Sequence, residues 1–157
     1  MTESFTLRKA GKEDYAGIHA LFLALHRQHV AGRPDIYREA DPLPQEEYER
    51  ILADENALLL AAFAEEKLAG FCQLSFRLPE NPTLQPQKAA FIEAIAVSEP
   101  FRQQGLGKLL FSHVREYARE RGAARLSLNV WCFNEAAIAF YRRLGLQDQR
   151  LTMEELL

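Results

Sequence analysis

Residues 97–107 constrain this chain more than any other stretch. An apolar run over residues 89–97 ends in a polar turn with Pro100, and Gly105-Leu106-Gly107 then opens an amphipathic segment. This succession predicts a strand, a glycine turn and a helix. Glycines at such a joint let the backbone approach a ligand and turn successive amide N–H groups outward. Those amides and the positive end of the helix make an anion site, with a pyrophosphate as the expected guest. Over residues 104–121, Leu106, Leu109, Leu110, Val114, Tyr117 and Ala118 form one apolar stripe, and Gly122 closes the helix. Residues 125–131 read as a strand again, so the unit is βαβ and its strands run parallel.

The flanking segments extend that unit. Phe5-Thr6-Leu7-Arg8 alternates as a first strand. Tyr15, Ile18, Phe22 and Leu25 predict a helix over about residues 13–30, broken by Gly32-Arg33-Pro34. Residues 33–44 form a polar loop, and residues 46–52 a short helix. A buried strand at 57–63 and its hairpin partner at 68–76 flank the turn Glu65-Glu66-Lys67. Three prolines make 79–87 a loop. Residues 134–144 form a short helix ended by Gly145, and the tail from Leu146 is expected to add a last strand. The fold class is therefore α/β (α+β): a mixed, largely antiparallel sheet with flanking helices, one domain over 1–157.

Composition narrows the partners. A chain of 157 residues can bury a substantial core without staples. The net charge of −3 argues against nucleic acid and against an anionic membrane as partners. Cys72 and Cys132 have no partner spacing, which points to a reducing compartment. No apolar run approaches the roughly 20 residues of a membrane span. Met1-Thr2-Glu3-Ser4 lacks a signal-peptide pattern, so a cytoplasmic location is expected.

Several patterns compete for the glycine turn. A Walker A loop needs a glycine where Arg102 stands and a hydroxyl where Leu109 stands. A dinucleotide fingerprint needs a third glycine where Leu110 stands, earlier in a chain. A plain helix start with turn glycines needs nothing more. Arg102-Gln103-Gln104-Gly105-Leu106-Gly107, after an apolar strand, resembles the acetyl-CoA signature of the GNAT superfamily of N-acetyltransferases. A second feature of that family stands in register downstream: Asn134, Ala137, Phe140-Tyr141 and Gly145-Leu146. The element order also matches, so the resemblance covers essentially the whole chain.

The resemblance implies an acyltransferase with acetyl-CoA as co-substrate and no metal. Backbone groups of Ile95, Ala96 and Val97 would hold the pantetheine arm and thioester. Arg102 and the amides of Gln103, Gln104, Gly105, Leu106, Gly107 and Lys108 would hold the pyrophosphate. The strands carrying Glu93 and Asn129 would splay apart around the pantetheine. Asn134 reads as an N-cap, for which Asn is preferred, and also as a coenzyme contact. Tyr141 resembles the family tyrosine that protonates the departing thiolate; the alternative is a core aromatic. Glu93 is a lone carboxylate in an apolar strand, costly unless paired, solvated or useful. Alternation places Glu93, Ile95 and Val97 on one face. The resemblance makes Glu93 a base, direct or through water; a salt-bridged structural Glu is the alternative.

The acceptor side is less constrained. The resemblance puts the first helices and their loop over the acceptor, here with His26, His29, Arg33, Asp35 and Tyr37. His26 and His29 can share a helix face, but no third ligand completes a metal site. Trp131 and Phe133 read as core or pocket wall. Relatives that acetylate ribosomal protein N-termini commonly carry a Glu where Asn129 stands, which weakens that reading. The expected acceptor is a small-molecule amine, with a protein or peptide amine second. A non-catalytic acyl-CoA-binding module is the reading from another class, against which Glu93 and Tyr141 together speak. Acyl chains longer than acetyl, and a homodimer, stay open.

Overall fold

A computed structural model describes residues 4–157, so the signal-peptide reading of residues 1–3 lies outside the described residues. The chain runs β1 (Phe5–Lys9), α1 (Tyr15–Gly32), α2 (Gln45–Ala53), β2 (Ala57–Ala64), β3 (Lys67–Arg77), β4 (Ala89–Val97), α3 (Leu106–Glu120), β5 (Arg125–Leu128) and α4 (Glu135–Arg143). The five strands lie in sequence order, antiparallel except for the parallel β4–β5 pair. That is the mixed, largely antiparallel sheet the βαβ and hairpin patterns predict.

Each face of the sheet has its own apolar layer. Leu58, Leu60, Cys72, Leu74 and Ile92 pack under Leu106, Leu110, Phe111 and Val114 of α3, with Tyr141 of α4 against the same layer. Leu59, Ala61, Phe71 and Ala94 face the other way, under Ile18 of α1 and Tyr48 and Ile51 of α2. Burying each large side chain is worth about 1.5–3 kcal/mol relative to exposure. Tyr48 is fully buried yet satisfied, since its hydroxyl donates to Gly11 O at 2.6 Å.

Three expectations are corrected. Leu109 is 43% exposed, because the stripe that faces the sheet is Leu106, Leu110, Phe111, Val114 and Ala118. β5 stops at Leu128, where its pairing with β4 ends, and Trp131 beyond it bonds to Tyr37 in the loop after α1. Residues 147–157 form no strand among the described residues; they are exposed, and their backbone makes no backbone hydrogen bond to another described residue.

Candidate active site

The parallel pair opens where the site begins. β4 and β5 are in register from Ala89 with Arg125 to Ile92 with Leu128, and β4 then continues alone to Val97. The β5-facing side of residues 93–97 therefore has no strand partner among the described residues. Unpaired backbone donors and acceptors at such a place are free to bind an extended ligand.

Glu93 sits at an irregularity in β4. Ala94 pairs with Gln73 and Ile92 with Leu74, so Glu93 is the extra residue of a β-bulge. The bulge shifts the alternation by one. Ile92, Ile95 and Val97 pack in the α3 layer, while Ala94 and Ala96 pack in the α1–α2 layer. Glu93 turns toward the α1–α2 side, where Ser75 Oγ donates to its Oε1 at 2.6 Å and Arg77 Nη2 donates to the same oxygen at 2.5 Å. This corrects the expectation that Glu93 shares a face with Ile95 and Val97. Oε2 keeps no hydrogen-bond partner among the described residues, and the side chain is 31% exposed. Arg77 is held in turn by stacking over the Phe91 ring, 4.3 Å from its centroid. Arg77 and Ser75 escape a reading of the sequence, because only strand register brings them to Glu93.

At the end of β4 the chain makes the glycine turn. Gln103 and Gly105 both have left-handed backbone, with φ of 62° and 81°. Left-handed residues inside a tight turn aim successive amides to one side, and the N-terminus of α3 adds its own. A Cβ at Gly105 would meet nothing within 4 Å, so the turn is open to solvent there. Gly107 serves packing instead: a Cβ would lie 3.1 Å from the Phe140 ring, so its absence lets α4 approach the first turn of α3. Arg102 Nε donates to Val97 O at 3.2 Å, which ties the turn to β4, and Lys108 is exposed beside it. Gln104 Nε2 donates to Pro100 O at 3.4 Å, and its Oε1 is buried without a partner among the described residues. A left-handed turn with exposed Arg102 and Lys108 beside it has the backbone and charge that favour an anion.

α4 is placed by its ends. Asn134 Oδ1 accepts from Ala137 N at 3.2 Å, the N-cap arrangement its residue type favours. Arg115 of α3 donates to Leu144 O at 2.8 Å and holds the other end. Tyr141 is thereby set on the α3 face, near Phe111, with ring centroids 6.4 Å apart. Burial pushes its phenol up to about 12, helped by nearby Cys72. Glu93 and Tyr141 therefore stand on opposite faces of the sheet.

The loop after α1 closes over the end of β5. Trp131 Nε1 donates to the Tyr37 hydroxyl at 3.0 Å. His29 stacks on Tyr37 at 5.1 Å and His26 meets its edge at 6.1 Å. His26 Nε2 is 2.8 Å from Arg38 O, and burial lowers the His29 pKa, with His26 adding to the effect. Arg33, paired with Asp35, lies over the Trp131 ring at 5.1 Å. His26, His29 and Tyr37 thus gather into one aromatic wall, with Trp131 as the member that joins it to β5. Asn129 is exposed at the end of β5, outside that cluster. A separate cavity of about 510 Å³, lined by Lys9, Asp54, Tyr117 and Arg121 among others, lies at the opposite end of the sheet from the glycine turn.

Known proteins are similar to this chain. The model of the acetyltransferase (GNAT) family matches residues 13–146. An uncharacterized N-acetyltransferase, YdgE of Bacillus subtilis, is 40% identical over 72 residues, which are 46% of this chain and 46% of that protein. Streptothricin acetyltransferase of Streptomyces lavendulae is 37% identical over 91 residues, 58% of this chain and 44% of that protein. The matches thus span about half the length of these relatives. The crystal structure of a mutant BH1408 protein from Bacillus halodurans superposes with a TM-score of 0.91 at 31% identity, covering 97% of this chain and 99% of that one.

Proposed function

The chain belongs to the GNAT acetyltransferase family, and from that premise we propose that it moves an acetyl group from acetyl-CoA to a primary amine of a small molecule, with both substrates bound together. The observation that carries this reading is the opening between β4 and β5, with a carboxylate on one side, a phenol on the other and an amide turn at its end. Bound acetyl-CoA supplies the activated thioester. The turn at Gln103–Gly105 and the start of α3 would hold its pyrophosphate, with Arg102 and Lys108 adding charge. Asn134 would contact the coenzyme through atoms its cap leaves free. The backbone of Ile95, Ala96 and Val97 would hold the pantetheine arm, and its amides would steady negative charge on the thioester oxygen.

The acceptor would enter from the α1–α2 side, along the wall of His26, His29 and Tyr37, with Asn129 at its rim. Glu93 takes the ammonium proton on Oε2, directly or through a water. Ser75 and Arg77 hold the other oxygen and so fix the carboxylate plane. The amine then attacks, and the Tyr141 hydroxyl faces the charge that develops on sulfur. Holding both reactants in one slot supplies much of the rate. A small-molecule acceptor is supported by the streptothricin acetyltransferase relative and by Asn129, which stands where acetyltransferases of ribosomal protein N-termini commonly carry Glu.

A screen of small amines and short peptides, detecting the released CoA thiol, tests this reading. Turnover with a small amine is expected, and Glu93→Gln should lower kcat roughly 10²-fold, with a deficit that shrinks as pH rises and more of the amine is already neutral. Turnover with peptides alone would replace the acceptor class. Acetyl-CoA binding with no thiol release from any amine would favour a non-catalytic module.

A further inference from the structure

The cavity at the far end of the sheet lies outside the proposed transfer site. Its volume of about 510 Å³ is within the range of small-molecule sites. The end of β1, the start of β2, the last turn of α2 and the last turn of α3 enclose it. Ile51, Leu58 and Leu59 give it a buried apolar floor. Its charges arrive in two groups. From the α3 side, Tyr117 is flanked by two cations: the Arg121 guanidinium lies 4.6 Å from the ring centroid and Lys9 Nζ 6.0 Å from it. Neither cation forms a salt bridge among the described residues. Lys88 Nζ donates to Arg121 O at 3.0 Å and so holds the backbone that carries the guanidinium. From the α2 side come Asp54 and Glu55. Asp54 Oδ1 accepts from Asn56 N at 2.8 Å, whereas Glu55 forms no salt bridge among the described residues. The carbonyls of Leu52 and Ala53, at the end of α2, accept no backbone hydrogen bond from another described residue. Such a helix end favours positive charge. α3 and α2 pack on opposite faces of the sheet, so cations and carboxylates reach the cavity from opposite sides.

We propose that this cavity binds a free α-amino acid with an apolar side chain, as a second ligand site separate from the transfer site. Arg121 and Lys9 take its carboxylate, Arg121 through the paired N–H groups that match a carboxylate's two oxygens. Glu55 and the open carbonyls of α2 take its ammonium group. The apolar floor takes its side chain. A ligand with only negative charge meets repulsion from the α2 side, and one with only positive charge meets it from the α3 side. A zwitterion satisfies both. The 15 residues of α3 span about 22 Å, so the glycine turn at its start and the cavity at its end are two places. Glu93 and the aromatic wall of His26, His29 and Tyr37 do not line the cavity either.

Amide NMR of the isotope-labelled full chain tests this with three probes: L-leucine, isocaproate, which is leucine without its amino group, and isopentylamine, which is leucine without its carboxylate. Leucine should shift the amides of residues 9, 54–57 and 117–121 saturably and leave residues 102–108 in place. Isocaproate and isopentylamine should each bind at least about tenfold more weakly, since each loses one set of charged partners. The variant carrying Lys9→Met with Arg121→Met should lose the leucine response. Both residues are exposed, so the substitutions spare the core, and the melting temperature checks that the variant is folded. The three probes on the wild type stand independently of that variant. No saturable shift with leucine, a response confined to residues 102–108 or 26–37, equal binding of isocaproate or isopentylamine, or an undiminished response in the folded double variant would each overturn the proposal.

Discussion

Tyr141 illustrates how environment sets what a side chain can offer. Burial pushes its phenol up to about 12, well above the roughly 8.5 of an ordinary thiol, close to that of coenzyme A. The phenol is therefore protonated throughout the neutral range. Complete proton transfer from it to a thiolate is uphill, so its expected contribution is a hydrogen bond that strengthens as charge gathers on sulfur. Tyr141→Phe keeps the ring that packs near Phe111 and removes only the hydroxyl. The rate of transfer should fall by roughly 10- to 100-fold, the lower part of the range for a positioned acid. The loss should appear in kcat more than in KM, since the interaction is made mainly in the transition state. Single-turnover transfer at matched occupancy of both substrates measures this; equal rates would reduce Tyr141 to a packing residue. The positions of Tyr141 on a short helix and of Glu93 in an apolar strand were legible in the sequence. Their placement on opposite faces was not, because one extra residue in β4 reverses the alternation without leaving a mark in a run of small apolar residues.

The glycine turn belongs to the scale of elements, where two glycines two residues apart have different duties. Gly105 is needed for its backbone, at φ 81°, and has open space around it. Gly107 is needed for its missing side chain, against Phe140. Gly105→Val should therefore destabilise through backbone strain alone, by about 1–2 kcal/mol for an L-residue in left-handed conformation. If the turn relaxes to relieve that strain, its amides lose their common direction, and acetyl-CoA affinity should fall at least about tenfold, the equivalent of about 1.4 kcal/mol. Urea unfolding and calorimetric titration read the two effects separately. An unchanged unfolding midpoint with unchanged affinity would show that the turn does not depend on glycine. The turn was legible because strand, glycines and helix follow each other without a gap. So were the hairpin and α3, whose patterns are local. The end of β5 was not: residues 125–131 alternate like a longer strand, but the pairing with β4 ends at Leu128, and Trp131 meets Tyr37, far away in sequence. The tail misled for a related reason. Residues 147–157 were expected to pair, but pairing depends on where the chain carries a segment, and this one passes the sheet without strand hydrogen bonds.

For the whole molecule, binding and stability are one measurement. A ligand that binds only the folded chain stabilises it by mass action, about 2.7 kcal/mol at a hundredfold excess over its Kd. For a chain of this size each kcal/mol raises the melting temperature by about 2–4 °C. Acetyl-CoA at that excess should therefore raise it by roughly 5–10 °C. The comparison among ligands is more telling than the size. If only the glycine turn binds, any polyphosphate should serve, and ATP should match acetyl-CoA. If the opening between β4 and β5 also binds an extended arm along residues 93–97, coenzyme A should match acetyl-CoA, and ATP and NAD should fall well short of both. The unpaired edge of β4 makes the second pattern the expected one, since it offers backbone partners over the length that the parallel pairing leaves free. Differential scanning calorimetry with the four ligands decides it. Equal shifts from ATP and acetyl-CoA would confine the site to the turn, and no shift from acetyl-CoA would leave this member of the family without its expected co-substrate.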